Sequence, residues 1–588
     1  MKIQNKRGIR EMLDQLLRLV TEERWAEAKK LGEQLKWQGE ESETFFILFA
    51  TICRVFNEEL KEYKHIIYGI RKYPLNYELY FMLGNFYLEH QRSSLAFLCY
   101  EQAAGYCVDT SDLTMIRENM NIAAKQSGFC VNPVSVVILA ESGGLVLREC
   151  LQSIGENLAG NTYEVLVVDN QCLGREIEWV NDFKHVTLLP CEREIGFADG
   201  INIGVKCAGI NNDIYLLEGD ARLMPNALFW LRMCLYERET VGAAGGVSNA
   251  GGWQSLALPC QTVEEVVVEA KKINVPDDGV HENKLWLENF SLLIKRKAMD
   301  EIGLIEQGVV GKLYSSIDYG MKLARAGYES VLCYNSLIYL PDRKRTNFLV
   351  QEDFDRFVSK WKFAPLYYSS SRTDILEKII RYHKEEIQVL EVGCGCGATL
   401  SAIRRHYPNA HVYGVELSEE VAAYGKYMAD ILVGDIEVLD LPYESHQFDY
   451  IIFADVLEHL RQPERVVRRM KEYLKPSGRI LASIPNLMNI EVIVSLLKGN
   501  FTYRDEGILD RTHIHLFTLR EIQRMFEEAG YVLTDIRVRN FREGILEHSR
   551  ENEKIIEQLY QIEGIAEKRE FEVYQYLIEA ALSEEGKR

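Results

Sequence analysis

At 588 residues and 47% apolar content, the chain is too long for one core and should hold about three domains of roughly 100–200 residues each. A net charge of −20 and a pI near 5.3 exclude nonspecific binding to nucleic acid or to an anionic membrane surface. No apolar stretch follows Met1-Lys-Ile-Gln-Asn-Lys-Arg7, no run of about 18 apolar residues suggests a transmembrane segment, and the thirteen cysteines form no paired Cys-x-x-Cys sets, so a cytoplasmic protein, or one peripheral at the inner membrane face, is expected.

From Ile9 to Gly128 apolar residues recur at spacings of three and four, which predicts helices throughout. The segment Tyr77 to Ala104 carries Tyr80, Leu83, Gly84, Tyr87, Ala96, Tyr100 and Ala103. Small residues at 84, 96 and 103 let two antiparallel helices touch, and the large ones fill the groove between them. A shift of about 34 residues reaches Phe46, Phe49, Ala50, Ile66, Gly69 and Pro74, and a second shift reaches Met12, Leu16, Leu19, Ala28, Gly32 and Leu35. Residues 1–130 thus resemble tetratricopeptide repeats, an α-solenoid, with a departure at Glu62, where a small residue is expected, and capping helices after Asp112. The resemblance implies a surface for a protein partner; a helical spacer packed on the next domain is the other reading.

At Asn132-Pro133 the periodicity changes. Val134–Leu139 reads as a buried strand, Leu145–Asn157 as an amphipathic helix and Tyr163–Asp169 as a second strand ending in an acid. A helix, a short strand from Val186 to Leu189, the segment Glu194–Gly204 and the strand Ile214–Leu217 follow. This is a nucleotide-binding α/β pattern. Carboxylates two residues apart at a strand end face the same way, so Glu218 and Asp220 suit a divalent cation held against a diphosphate. Residues 132–345 resemble family 2 glycosyltransferases of the GT-A fold, rhamnosyltransferase-like in cast. The matches are Val167-Val-Asp169-Asn170, Ile195-Gly-Phe-Ala198 with Asn202 and Gly204, Leu216-Leu-Glu-Gly-Asp220 with Pro225, and Asp318 to Tyr328. The resemblance implies a nucleotide-sugar donor bound by Asp169, Asn202 and Glu218, a manganese or magnesium ion on Asp220, and Asp318 as catalytic base. Two departures stand out: Ala140-Glu-Ser142 replaces Thr-Tyr-Asn, and Ser315-Ser316 replaces the acidic pair that precedes Asp318.

Residues 346–374, with Phe354, Phe357, Trp361 and Tyr367, read as a linker and not as a site. After it, Gln388-Val-Leu-Glu391-Val-Gly-Cys-Gly-Cys-Gly397 predicts a buried strand, a glycine-rich turn and a helix from Ala398 to about Arg405. Such spacing serves dinucleotides, adenosyl cofactors and ordinary tight turns. Three further strands end in acids: Val412–Glu416, Ile431–Asp435, and Phe448–Phe453 followed by Asp455. Glu416 lies roughly 20 residues beyond the turn, where a carboxylate accepts ribose hydroxyls. With Asp455-Val-Leu-Glu458-His459, Pro463 and the turn Leu474-Lys-Pro-Ser-Gly478, residues 375–545 resemble class I S-adenosylmethionine-dependent methyltransferases of Rossmann-like α/β fold. The resemblance implies that Gly393 and Gly395 face the methionine part, Glu416 holds the ribose, and Asp435 with Ile436 frames the adenine. Glu391, Gly397, Leu417 and Asp455 complete the cofactor set.

Thr518 and Glu521 predict a capping box for the helix Leu519–Ala529. In sugar-modifying methyltransferases of similar organisation a segment such as Arg511-Thr-His513 lies over the acceptor pocket. O-methylation requires removal of a hydroxyl proton, so His513 and His459 are candidate bases, with Asp455 or Glu458 as orienters; both histidines also suit plain turn and helix-end roles. Residues 546–588 read as a charged helical tail. The expected whole is a multidomain, bifunctional enzyme. It adds a sugar from a nucleotide-sugar donor and O-methylates a glycan, on a glycan or glycoprotein acceptor. The alternative is a methyltransferase whose glycosyltransferase-like domain is degenerate and serves binding or scaffolding.

Overall fold

The structure, a computed structural model, describes residues 2–141, 144–158, 163–170, 174–250, 252–307, 311–341, 351–379, 386–539, 550–562 and 568–583. Ser142 lies outside the described residues. The chain divides into two compact units, Met1–His281 with Trp286–Lys360, and Glu282–Leu285 with Trp361–Arg588.

In the first unit, helices Lys2–Thr21, Trp25–Trp37, Glu43–Val55, Glu59–Lys72, Tyr77–Glu89, Ser93–Tyr106 and Thr110–Ala124 follow one another with short turns. Three of those turns place a non-glycine residue in the left-handed region, at Glu23, Asn57 and Gln91, each 34 residues after the last. Helix caps repeat in the same phase: Ser42 accepts the Phe45 N–H and Asn76 the Leu79 N–H. Gly84 is required by packing, since a Cβ there would lie 2.5 Å from the Tyr100 ring. The misfit Glu62 is buried, and burial pushes its carboxyl up to about 7.

The helical array packs against the helix Ala227–Glu237. Tyr80 meets Phe229 edge-on at 5.3 Å, Gln102 and Tyr106 donate to Asn226 Oδ1, and Arg232 pairs with Glu101 at 5% and 6% side-chain exposure. The array therefore has a packing face toward the sheet that follows it.

That sheet contains β1 (Val134–Ala140), β2 (Tyr163–Asp169), β3 (Val186–Pro190), β4 (Asp213–Leu217), β5 (Val241–Ser248), β6 (His281–Lys284), β7 (Ser291–Ile294) and β8 (Glu329–Ile338). Within this unit its order is β3-β2-β1-β4-β7-β5-β8, with β7 antiparallel to both neighbours and β1 parallel to β2 and β4; of β6 only His281 belongs to the unit. β1 is buried along its whole length, which is why it reads as a continuous apolar run.

The second unit is built on β9 (Gln388–Val392), β10 (His411–Glu416), β11 (Asp430–Val433), β12 (Phe448–Ala454), β13 (Leu474–Pro485), β14 (Tyr531–Arg539) and β15 (Gln575–Leu582). The order β11-β10-β9-β12-β13-β15-β14 is Rossmann-like, reversing direction between β9 and β12, where such sheets bind ligands. The expected helical tail is only part of the truth. β15 inserts between β13 and β14, antiparallel to each, because Tyr576, Ile578, Ala580 and Leu582 fall on one buried face. The expected linker is corrected too: helices Pro365–Tyr368 and Thr373–Leu376 belong to this unit.

Candidate active site

The glycine turn after β9 matches the expectation closely. Gly393, Gly395 and Gly397 have φ of 70°, 55° and 76°, and a Cβ at Gly395 would come 2.7 Å from the Tyr368 carbonyl, which accepts the Cys396 N–H at 3.0 Å. Glu416, at the end of β10, accepts the Gly395 N–H on Oε2 and the Ser418 N–H on Oε1, both at 2.9 Å. Each oxygen keeps a second lone pair for a ribose hydroxyl. Leu417 beside it is 71% exposed. Asp435 is exposed and closes its own turn by accepting the Glu437 N–H at 2.9 Å, while Ile436 is buried in the core of this unit.

Glu391 is the least comfortable group in the crevice. It is buried, and although the Thr399 hydroxyl bonds it, its Oε2 has no hydrogen-bond partner among the described residues. Burial pushes this carboxyl up to about 8. An orphaned buried oxygen, three left-handed glycines and a carboxylate with spare lone pairs fit S-adenosylmethionine, whose ammonium would satisfy Glu391 and whose ribose would take Glu416. The cysteines of the turn, Cys394 and Cys396, are buried and free, and burial raises both thiols.

Asp455, just past β12, is a non-glycine residue at φ 57°, a conformation held only where surroundings over-determine it. Its Oδ2 accepts Arg372 Nη1 at 2.7 Å and its Oδ1 accepts the Ser483 hydroxyl at 2.9 Å and the Gln575 amide. Arg372 is itself forked onto Asp374. Arg372, Ser483 and Gln575 were not foreseen. They come from the supposed linker, from β13 and from the supposed tail, so no local spacing announces them.

His459 and His513 do come together, with ring centroids 4.8 Å apart. Neither Asp455 nor Glu458 orients them, which corrects that expectation. His459 Nδ1 faces the Thr512 carbonyl at 3.2 Å and His513 Nδ1 the Ile508 carbonyl at 2.9 Å. A carbonyl only accepts, so each Nδ1 carries the proton and each Nε2 keeps its lone pair. Burial, and then the neighbouring His513, lowers the pKa of His459. Glu458 is buried beside them with neither carboxylate oxygen hydrogen-bonded among the described residues, and burial holds its carboxyl well above the usual range. The segment 504–517 folds back here, the Ile514 and His515 N–H groups donating to the Glu458 carbonyl. Thr518 caps the next helix one way only, accepting the Glu521 N–H.

In the first unit the acids expected to hold a donor lie past the ends of β2 and β4, but in another arrangement. Asp169 is buried at the end of β2. Glu218 and Asp220 sit in a turn closed by the Ala221 N–H on the Glu218 carbonyl, not on one face of a strand. Lys312 spans Glu218 Oε1 at 3.2 Å and Glu141 Oε2 at 2.7 Å, so an ammonium already balances the carboxylates. Asn202 gives both ends of its amide to Ile305, through Nδ2 to the carbonyl at 2.8 Å and Oδ1 from the N–H at 3.1 Å. It braces a loop and offers nothing to a sugar nucleotide. Asp318, 1% exposed, lies 2.6 Å from Lys360 Nζ and 3.4 Å from Lys322 Nζ, so two ammonium groups already face its carboxylate. Ser315 and Ser316 are buried on the same helix, Lys312–Ala326.

A family described as a methyltransferase domain matches residues 361–536. The demethylmenaquinone methyltransferase of Bacillus cytotoxicus is 26% identical, over 30% of this chain and 88% of that one. That of Staphylococcus aureus strain Newman is also 26% identical, over 27% and 72%. Among solved structures, a SAM-dependent methyltransferase from Archaeoglobus fulgidus is 20% identical with a TM-score of 0.27, covering 39% of this chain and 98% of its own. Another, from Mesorhizobium loti, is 14% identical with a TM-score of 0.24, covering 35% and 95%. The family match opens at Trp361, which places Arg372 and the Tyr368 carbonyl inside it. The glycine turn, the acid-tipped strands and this match agree that residues 361–536 form a methyltransferase domain.

Proposed function

We propose that the chain is an S-adenosylmethionine-dependent O-methyltransferase acting on a glycan hydroxyl, in which the domain preceding the methyltransferase recognises glycan or nucleotide sugar without transferring it. The observation that carries this reading is the pair His459 and His513, each fixed by a carbonyl with Nε2 free to accept a proton. S-adenosylmethionine supplies the electrophilic methyl group. Gly393, Gly395, Glu416 and Glu391 would hold it, with Leu417, Asp435 and Ile436 along the adenine side. A hydroxyl is a poor nucleophile until it loses its proton, and the lowered pKa of His459 keeps that imidazole ready to take it near neutral pH. Asp455, braced by Arg372, Ser483 and Gln575, fixes the chain between β12 and the histidine.

The same region in the relatives named for demethylmenaquinone supports methyl transfer and leaves the acceptor to be found by assay. The glycan reading rests on the residues of the middle domain. Asp169 stands at the end of β2, and Glu218 and Asp220 in the turn after β4, positions that suit binding of a sugar nucleotide, with manganese or magnesium on Asp220 as the second reading. Asp318 clamped by two lysines, and serines at 315 and 316, speak against a transferase. The helical repeats offer a surface for a protein acceptor such as a glycoprotein. No helix among the described residues is long and apolar enough to cross a membrane.

The test is transfer of tritiated methyl from S-adenosylmethionine to a panel of glycans, glycopeptides and demethylmenaquinone. Label on a glycan that disappears in His459→Ala/His513→Ala supports the reading. Label on the quinone alone, or label indifferent to both histidines, overturns it.

A further inference from the structure

Three metal-ligating side chains converge in the first unit, apart from the acids discussed above. Cys234 lies on the helix Ala227–Glu237, Cys333 lies in β8, and His281 opens β6. One ligand atom from each lies within 4.8 Å of the other two. Both thiols are buried, at 1% and 0% exposure. Nδ1 of His281 stands 3.6 Å from the Glu237 carboxylate, while its Nε2 is buried with no hydrogen-bond partner among the described residues.

From this geometry we infer a zinc site formed by Cys234, Cys333 and His281, with Glu237 as the group that orients the imidazole. Two sulfur ligands and one imidazole suit a borderline-soft divalent ion and disfavour calcium or magnesium, which take oxygen. A carboxylate beside the far nitrogen of a ligating histidine fixes its proton there and points the other lone pair at the metal. Bonds of about 2.0–2.3 Å require the three ligand atoms to draw in by roughly an ångström, within reach of side-chain rotation. The two thiols each give up a proton to solvent as the ion binds, and a water completes four-coordination. Such an ion would tie the helix Ala227–Glu237 to β8 and to the start of β6, at the edge of the sheet. Both thiols are closed from solvent, the His281 side chain is about one-third exposed, and none of the three ligands belongs to the acids that follow β4.

The test uses the full chain purified without chelator. One zinc per chain is expected by elemental analysis, and exchange into cobalt should give the intense near-ultraviolet band of thiolate-to-cobalt charge transfer. Glu237→Gln should keep the stoichiometry and weaken zinc affinity about 10–100-fold, and Cys234→Ser/Cys333→Ser should abolish the cobalt band. The wild-type spectrum decides the matter even if that double variant fails to fold. Absence of the band, cobalt retained by the folded double variant, or a mass lower by two hydrogens showing a Cys234–Cys333 disulfide would each overturn the site.

Discussion

Glu391 makes the crevice sensitive to pH in a direction that can be worked out. In the folded chain its carboxyl titrates near 8, against an ordinary value of 4.5. Between those values the folded state keeps a proton that the unfolded state has released, so this residue's contribution is full below about 4.5 and is lost as pH rises through 8. Glu391→Gln has no such proton. Its unfolding temperature should match wild type near pH 5 and exceed it at pH 8.5, by differential scanning calorimetry without ligand; equal offsets at both values would refute the assignment. The same substitution removes the carboxylate that a cationic cofactor would meet. Binding of S-adenosylmethionine to wild type at pH 7 should therefore release a proton, detectable by calorimetry in buffers of different ionisation enthalpy, and binding to the variant should not. The histidines make a separate case. Replacing His459 or His513 by alanine should lower kcat by about 10²–10⁴-fold and leave cofactor affinity within a factor of two. A loss of affinity in place of kcat would make them packing residues.

At the scale of elements, β15 decides whether the methyltransferase sheet exists. It buries Tyr576, Ile578, Ala580 and Leu582 between two neighbouring strands, and each large apolar side chain contributes about 1.5–3 kcal/mol on burial. Against a net stability of about 5–15 kcal/mol for a domain, losing that burial removes an amount comparable to the whole margin. A chain ending after residue 545 should express as insoluble protein or fail to bind cofactor, and one ending after Ser583 should fold; a soluble, binding-competent truncation at 545 would show β15 to be dispensable. The glycine turn, β9 before it and β12 after it were legible because each prints a local signature: positive φ demands glycine, and buried strands read as apolar runs. β15 was hidden by the charged helical text on either side of it, and its register depends on strands distant in sequence, Ile480 of β13 and Leu533 of β14 both pairing with Ala580. The same holds for the ring around Asp455, whose partners lie on three separate stretches. The buried pair Glu101 and Arg232 is a second element-scale case. Glu101→Gln leaves an unpaired guanidinium at the array's packing face and should cost about 3–5 kcal/mol, whereas Glu101→Leu/Arg232→Met should cost much less. Urea unfolding of the three proteins measures both.

At the scale of the molecule, the chain carries a methyltransferase domain and, in its first unit, a sheet with Asp169 at the end of β2 and Glu218 and Asp220 in the turn after β4. The helix phase followed from periodicity, and so did the position of Asp169 at the end of one strand and of Glu218 and Asp220 just past another; the strand order did not. What periodicity could not give was the charge partners. Lys312 on Glu218 and the pair Lys322 and Lys360 on Asp318 are set by tertiary packing, and they turn an apparent catalytic set into a cationic and anionic lattice. Binding and turnover can therefore be separated. The full chain titrated with nucleotide sugars in the presence of manganese should bind without releasing nucleoside diphosphate, even with glycan acceptors present, and Asp220→Ala should abolish that binding while S-adenosylmethionine affinity stays unchanged. Lys312→Ala removes the ammonium that balances Glu218 and Glu141 and should make binding more dependent on the divalent ion. Release of nucleoside diphosphate at a rate abolished by Asp318→Asn would instead restore the transferase, because it would mean that Lys322 and Lys360 let go of Asp318 when an acceptor arrives.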